Sequence, residues 1–365
     1  MFSFLKKFLI KLIAPVVVTA VATTTTAISP QSTASDFTAK SFEKSITAEA
    51  FCNLSAEASQ YFLGDLYTEY MDIENNNIDG WIHVHEETFL NDGFTYSLWV
   101  NKYNSSTYTI VYSGTDDLAD VLQYLPMMIH KQNASQIAKA IEVTKNIQKT
   151  IAEKGDPKFC GNLDKLYITG HSLGGYLAMY VASEMADSYL HNTHYDISIQ
   201  DVGLDNIYDI KCVTFGAPGM YYEPLTINVG NFQTSNIFPL QPWHLRKIEN
   251  NKQNYYDTII YQYINNQDIV ANLLKEDKNT KLTQTEKLIG FGVELEHIGT
   301  LYTYKTDQIT VAQKVEFERK ASNIVGKVSG TLIATILNGT RLTNAVYGHM
   351  PWVYINLNLD DVISM

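Results

Sequence analysis

The sequence predicts an α/β protein built on a mainly parallel sheet with helices on both faces. Residues 166–169 (Leu166, Tyr167, Ile168, Thr169) form a short, nearly continuous apolar run, the pattern of a strand buried on both faces. A glycine-rich turn and an apolar helical stretch over residues 173–185 follow it directly. Further strand patterns at residues 94–100, 107–112, 210–215 and 258–264 interleave with helical ones, as βαβ units do. With 365 residues, 45% of them hydrophobic and 18% charged, the chain has the profile of a packed globular protein and not of a disordered one.

The elements follow in order. Lys6, Lys7 and Lys11 flank an apolar stretch over residues 12–22 that ends in Ala20-Val21-Ala22, the small-x-small pattern of a signal-peptidase site. That stretch is well short of the roughly 20 residues a membrane span needs. Residues 1–22 are therefore expected to be a cleaved signal peptide, with the mature protein extracellular or periplasmic. Residues 23–49, rich in Thr, Ser and Ala with Pro30, predict a mobile spacer. The globular domain is expected over residues 50–365. It opens on a helix over residues 54–70, with Tyr61, Phe62, Leu66 and Tyr70 near helical spacing. The strands at 94–100 and 107–112 flank an Asn104-Ser105-Ser106 turn, and a long polar-faced helix is expected over residues 136–154. Residues 219–256, crowded with aromatics such as Tyr221, Phe232, Trp243 and Tyr256, are too long for an ordinary loop. They suggest either a cap-like insertion over the site or a peripheral subdomain.

Charge and cysteine content exclude some functions. A formal net charge of −12 and a sequence pI near 5.2 give no attraction for a phosphate backbone, so no nucleic-acid partner is expected. Three cysteines make no disulfide framework. Cys52 and Cys160 are free to pair after export, whereas Cys212, inside an apolar run, is expected to be a small buried side chain.

The strongest chemical signal is Gly170-His171-Ser172-Leu173-Gly174-Gly175. A serine hydroxyl is a poor nucleophile unless held exposed beside a base, and the G-x-S-x-G turn does this with a tight strand-to-helix bend. A Cβ at Gly170 or Gly174 would clash with neighbouring backbone. The serine then sits at a helix N-terminus, where free N–H groups favour a developing oxyanion.

Here the sequence resembles the fungal-type (class 3) lipases, α/β-hydrolases acting on acylglycerols and phospholipids. The resemblance runs from about Tyr108 to Tyr354 in ordered blocks. Tyr112-Ser113-Gly114-Thr115 with Asp120 is similar to the family's R-G-[ST] turn and acidic residue, and Tyr167 to Gly175 to its elbow. Val213-Thr214-Phe215-Gly216-Ala217-Pro218 resembles the F-G-x-P block, Asn265 to Val270 the block of the triad acid, His297-Ile298-Gly299 the H-x-G block, and Gly348-His349 with Tyr354 the block of the triad histidine. The resemblance implies an α/β-hydrolase fold with a lid, a Ser172–Asp268–His349 triad and no cofactor. It departs from the family at Ser113, where Arg is usual, at Ala271, where proline is common, and in the long stretch from Asp268 to His349.

Position and physics agree with these roles. Chain order in this fold is Ser, Asp, His, and Asp268 follows the strand at 258–264 on the edge where such sheets place functional groups. Asp201 and Asp205 precede the F-G-A-P block and look like solvated loop residues. Of nine histidines, His297 is nearer to Asp268, but only His349 matches the family's base. His171 is expected to pack and hydrogen-bond away from the serine's face of the turn. His83 and His85 share a strand face but lack a third ligand, so no metal site is expected. The oxyanion hole is expected from the backbone N–H groups of Leu173 and Thr115. Residues 118–129, with Leu118, Val121, Leu122, Leu125, Met127, Met128 and Ile129, suggest either a lid that opens at a lipid surface or a helix packed in the core. The expected substrate is a lipid carboxylic ester, met in transient contact with a membrane or lipid surface, as a triacylglycerol lipase or a phospholipase A1. Alternatives are acyl transfer to another alcohol and a catalytically silent lipid-binding protein on the same scaffold.

Overall fold

Aromatic and β-branched runs build the first half of the sheet. In the computed structural model, β1 (Asn77–Ile78), β2 (Trp81–Phe89), β3 (Phe94–Asn101) and β4 (Asn104–Tyr112) pair antiparallel in sequence order. The structure describes residues 34–58, 77–90, 93–113, 133–191, 196–224, 227–229, 232–234, 253–266, 268, 270–272, 293–304, 349, 353–354, 359 and 363. It divides the chain into the units Met1–Phe37 and Thr38–Met365. Of the first only residues 34–37 are described, and they are helical; the second holds the sheet. The expected signal peptide of residues 1–22 and the expected lid of residues 118–129 lie outside the described residues.

From β4 onward the sheet becomes parallel. β5 (Lys165–His171) lies beside β4, and β6 (Ile210–Phe215) beside β5. Within the aromatic-rich segment, β7 (Tyr221–Pro224) leaves the main sheet, and β8 (Ile227–Val229) forms a hairpin with β9 (Phe232–Thr234). The chain returns as β10 (Ile260–Asn265) beside β6; β11 (Val293–Glu296) pairs with β7, and β12 (Thr300–Tyr304) completes the edge next to β10. The expected strand at 258–264 begins later than its apolar pattern implied. Thr258 and Ile259 close a helix, because Tyr256 and Ile259, three residues apart, are both fully buried on one helical face.

The helices cover the two faces by different routes. Parallel strands that follow one another in sequence order, joined by crossovers of one hand, put every crossover on the same face. On that face α3 (Asn133–Lys145), α4 (Ile147–Lys154), α5 (Leu173–His191) and α6 (Gln253–Ile259) bury aliphatic side chains such as Ile141, Ile147, Leu177, Val181 and Ile259. The helix expected over 136–154 is in fact α3 and α4, separated at Asn146, whose side-chain amide donates to the Glu142 carbonyl at 2.9 Å. The opposite face is covered by α2 (Ala48–Ala58), which follows α1 (Ala34–Ser45), and by Leu359 and Ile363. Both helices overlap the segment read as a spacer. Small side chains hide an apolar period, yet Ala48, Ala50, Ala56 and Ala58 let α2 lie close on the sheet, and Thr47 Oγ1 accepts from the Ala50 N–H at 3.3 Å.

The second face is aromatic. Phe51 stacks on Tyr167 at 4.7 Å between ring centroids and meets Trp81 at 5.7 Å. Tyr167 donates its hydroxyl to the Ile363 carbonyl at 2.8 Å, and Ile363 N–H donates to the Ile46 carbonyl at 2.8 Å. Cys52 belongs to this face and Cys160 packs against the other, so the Cys52–Cys160 pairing left open by the sequence would have to cross the sheet; both thiols are free. Cys212 is buried, and burial pushes its thiol pKa up.

Candidate active site

Register brings the parallel strands to a common edge. Tyr112 of β4 lies beside Gly170 of β5, His171 beside Phe215 of β6, and Phe215 beside Tyr263 of β10. Ser172 follows β5 with φ of 57°, a left-handed conformation that costs a non-glycine residue roughly 1–3 kcal/mol. Its surroundings enforce it: the Ser172 N–H donates to the Phe215 carbonyl at 2.9 Å, and its own carbonyl accepts from Tyr176 N–H at 3.1 Å in the first turn of α5. A Cβ on Gly174 would lie 2.1 Å from the Tyr112 carbonyl oxygen, so the helix approaches β4 this closely only with glycine there.

Asp268 follows β10 and is fully buried. Its Oδ1 accepts from the Val270 and Ala271 N–H groups at 2.8 and 3.0 Å, closing a turn that Asn272 Nδ2 braces by donating to the Asp268 and Asn265 carbonyls. Its Oδ2 accepts from the Tyr354 hydroxyl. Burial, and then the neighbouring carboxylate, hold the Tyr354 pKa well above the ordinary tyrosine range, so Tyr354 remains a donor. Gly216, with φ of 59°, makes room for both groups, since a Cβ there would meet Asp268 Oδ2 at 2.6 Å and the Tyr354 hydroxyl at 3.0 Å.

His349 joins these elements. Its Nδ1 lies 2.8 Å from Asp268 Oδ1 and its Nε2 2.8 Å from Ser172 Oγ. A carboxylate can only accept, so Nδ1 carries the proton and Nε2 is left to accept from the serine hydroxyl. All three side chains are buried. The three residues taken from the sequence as a nucleophile, acid and base are thus within hydrogen-bond reach in one line.

The rival residues have other partners. His297 bridges Gln262 Oε1 at 2.8 Å and the Ala271 carbonyl at 2.7 Å, tying the Asp268 turn to β10. Asp201 caps its own loop by accepting from the Ser198 N–H and hydroxyl, and Asp205 is exposed. His83 meets Trp99 edge-on at 4.9 Å. Leu173 opens α5 beside Ser172 with its side chain buried; Thr115, its expected partner in the oxyanion hole, lies outside the described residues.

Residues 109–278 match the family model described as lipase (class 3). This stretch is similar to the class 3 lipases. The fold that goes with this likeness is the α/β-hydrolase fold. The match takes in Ser172 and Asp268, whereas His349 lies beyond it. Among solved structures the chain is similar to the Rhizomucor miehei lipase propeptide complex, with 15% identity over 66% of this chain and 64% of that one and a TM-score of 0.31. Lipase II from Rhizopus niveus shares 15% identity over 75% of this chain and 83% of its own, with a TM-score of 0.35. M37 lipase shares 13% over 84% and 96%, with a TM-score of 0.41. The chain thus spans less than two thirds of the Rhizomucor miehei lipase chain. No curated protein matches the chain.

Three residues of the site make contacts that the sequence alone does not assign. In the sequence Tyr354 stands only as part of a block and Gly216 only as part of F-G-A-P, yet both shape the carboxylate's surroundings. His171, expected to pack away from the serine's face, donates from Nε2 to the His349 carbonyl at 2.7 Å. A histidine beside the nucleophile was a visible signal, but its partner lies 178 positions away in sequence.

Proposed function

We propose that the chain is an exported lipase that hydrolyses carboxylic esters of lipids by a two-step acyl transfer. The observation that carries this reading is the unbroken relay from Ser172 Oγ through His349 to Asp268. In the first step Ser172 Oγ attacks the ester carbonyl while His349 Nε2 takes its proton, and the imidazolium so formed is stabilised by Asp268. The tetrahedral oxyanion is held by the Leu173 N–H and, with it, Thr115. His349 then returns the proton to the departing alcohol. In the second step water attacks the acyl-enzyme with His349 again as base, releasing the acid and restoring the serine. No step calls for a cofactor. Asp268 suits its part because two backbone N–H groups and the Tyr354 hydroxyl fix its orientation.

The substrate class, triacylglycerol or phospholipid at a lipid surface, rests on the resemblance and on the apolar residues at 118–129. Export rests on the basic and apolar N-terminal pattern. A fluorophosphonate probe tests the chemistry: the wild type should be labelled on Ser172, and Ser172→Ala should not. Hydrolysis of p-nitrophenyl esters, triacylglycerol emulsions and phospholipid vesicles should fall about 10⁴-fold or more in Ser172→Ala and His349→Ala. Equal activity of His349→Ala and wild type would overturn the base assignment. An unlabelled wild type would favour a silent lipid-binding protein.

A further inference from the structure

We infer that His171 is a positioning residue for the catalytic base, its ring N–H holding the main chain of His349 so that the imidazole stands over Ser172. The inference rests on the acyl-enzyme reading and deepens it.

Three observations converge. His171 Nε2 lies 2.7 Å from the His349 carbonyl oxygen. The two imidazoles pack at 4.7 Å between centroids with 34° between planes. Tyr354 meets His171 edge-on at 5.8 Å while its hydroxyl serves Asp268. His171 therefore touches the residue that carries the base and the residue that steadies the acid, and it is itself buried at the end of β5.

The chemistry fixes its protonation. A carbonyl oxygen only accepts, so His171 Nε2 must carry a proton. A neutral ring has one N–H, which leaves Nδ1 bare. His349 needs the opposite tautomer, with its proton on Nδ1 toward Asp268 and Nε2 bare toward Ser172. The ionisable groups facing His171 are His349 and Tyr354, with Asp268 behind them. Burial, and then the adjacent His349, push the His171 pKa well below the ordinary histidine range, while its hydrogen bond to the His349 carbonyl acts the other way and does not offset them. A neutral His171 is what the reaction needs, since His349 becomes a cation on taking the serine proton and a second cation 4.7 Å away would oppose it.

Chain connectivity makes the clamp effective. Ser172 and His171 are consecutive: the β5 ladder beside β6 ends at His171, and the Ser172 N–H then donates to the Phe215 carbonyl. The nucleophile and the anchor of the base's main chain are thus set by one strand end. A simple packing role would need only the ring, whereas a positioning role needs the N–H.

The test compares His171→Phe, which keeps a ring and loses the donor, with His171→Gln, which keeps an N–H at similar reach. The Phe variant should lose about 10–100-fold in kcat with KM little changed, the range expected when a reacting group shifts by about 1 Å. The Gln variant should recover most of that loss, and fluorophosphonate labelling rates should follow the same order. A Phe variant as fast as wild type, or a Gln variant slower than Phe, would overturn the inference. Wild-type labelling that disappears in Ser172→Ala keeps the acyl-enzyme reading standing whichever way the His171 variants behave, and its absence would sink that reading first. Nitrogen NMR of wild-type enzyme labelled in histidine decides the matter even if a variant does not fold. His171 should show a neutral Nε2–H ring at and above the pH at which an ordinary histidine titrates. A neutral ring with its proton on Nδ1 and none on Nε2 would refute the clamp.

Discussion

The two faces of the sheet are buried by different kinds of chain. On the crossover face, α3 to α6 come from segments that neighbour the strands in sequence, and their contacts are mostly aliphatic. On the other face, Trp81, Trp99, Tyr167, Phe215, Tyr263 and Tyr354 cluster with Phe51 of α2 and with Leu359 and Ile363. The second face is the one joined to Ser172 and Asp268. Phe215 accepts from Ser172 N–H and Tyr354 donates to Asp268, while Tyr167 binds the Ile363 carbonyl. The lesson is a division of labour: local crossovers give the scaffold its bulk, and contacts between distant segments align the site.

Paired truncations would break or sharpen that contrast. Phe51→Ala on the aromatic face should destabilise the protein by about 3–5 kcal/mol, and Ile147→Ala on the crossover face by about 2–5 kcal/mol, read from denaturant unfolding. Only Phe51→Ala should also lower kcat per folded molecule, by about 10-fold, because it loosens the stack that carries Tyr167. If the two variants changed kcat equally after active-site titration, the contrast would be lost.

Tyr354→Phe comes next in size. It removes a buried donor to the Asp268 carboxylate, for a loss of about 1–3 kcal/mol, and it should reduce kcat with little change in KM. Unchanged kinetics would mean that the Val270 and Ala271 N–H groups and His349 suffice to orient the acid.

The smallest effect is a slope. The folded-state pKa of His171 lies well below its ordinary value of 6.5. Above about pH 6.5 both folded and unfolded chains carry it neutral, and it adds no pH dependence. Below that value the unfolded chain binds a proton that the folded chain refuses. Stability should therefore fall as pH falls from about 6.5 toward the folded value. Thermal melts of His171→Gln should show a shallower acid slope than wild type. Equal slopes would assign the acid sensitivity to other groups, such as His83, whose pKa burial also lowers.

What the sequence made legible tracks how local each signal was. The strand, turn and helix around Ser172 could be read because their determinants lie within a few residues, with glycines where a Cβ would collide. Asp268 and His349 were reached through block resemblance, since no spacing rule joins residues 81 positions apart. The Tyr354 and His171 contacts were not legible, because a hydroxyl or imidazole in a strand or loop does not announce its partner. α1 and the first half of α2 are not legible for a different reason: small and polar side chains leave little apolar periodicity, and the expected helix from Leu54 overlaps only the end of α2. The late start of β10 followed from α6, whose Tyr256 hydroxyl bonds buried Asp187 of α5 and keeps the segment helical up to Ile259.

Gly216 bears on any attempt to redesign this centre. The space opposite its α-carbon is already filled by a carboxylate oxygen and a phenol oxygen, so lengthening the acid by one methylene has nowhere to go on that side. Exchanging Asp268 for Glu would keep the charge and lose the fit. An engineer seeking a different acid would have to reshape the wall formed by β6 before touching the acid itself.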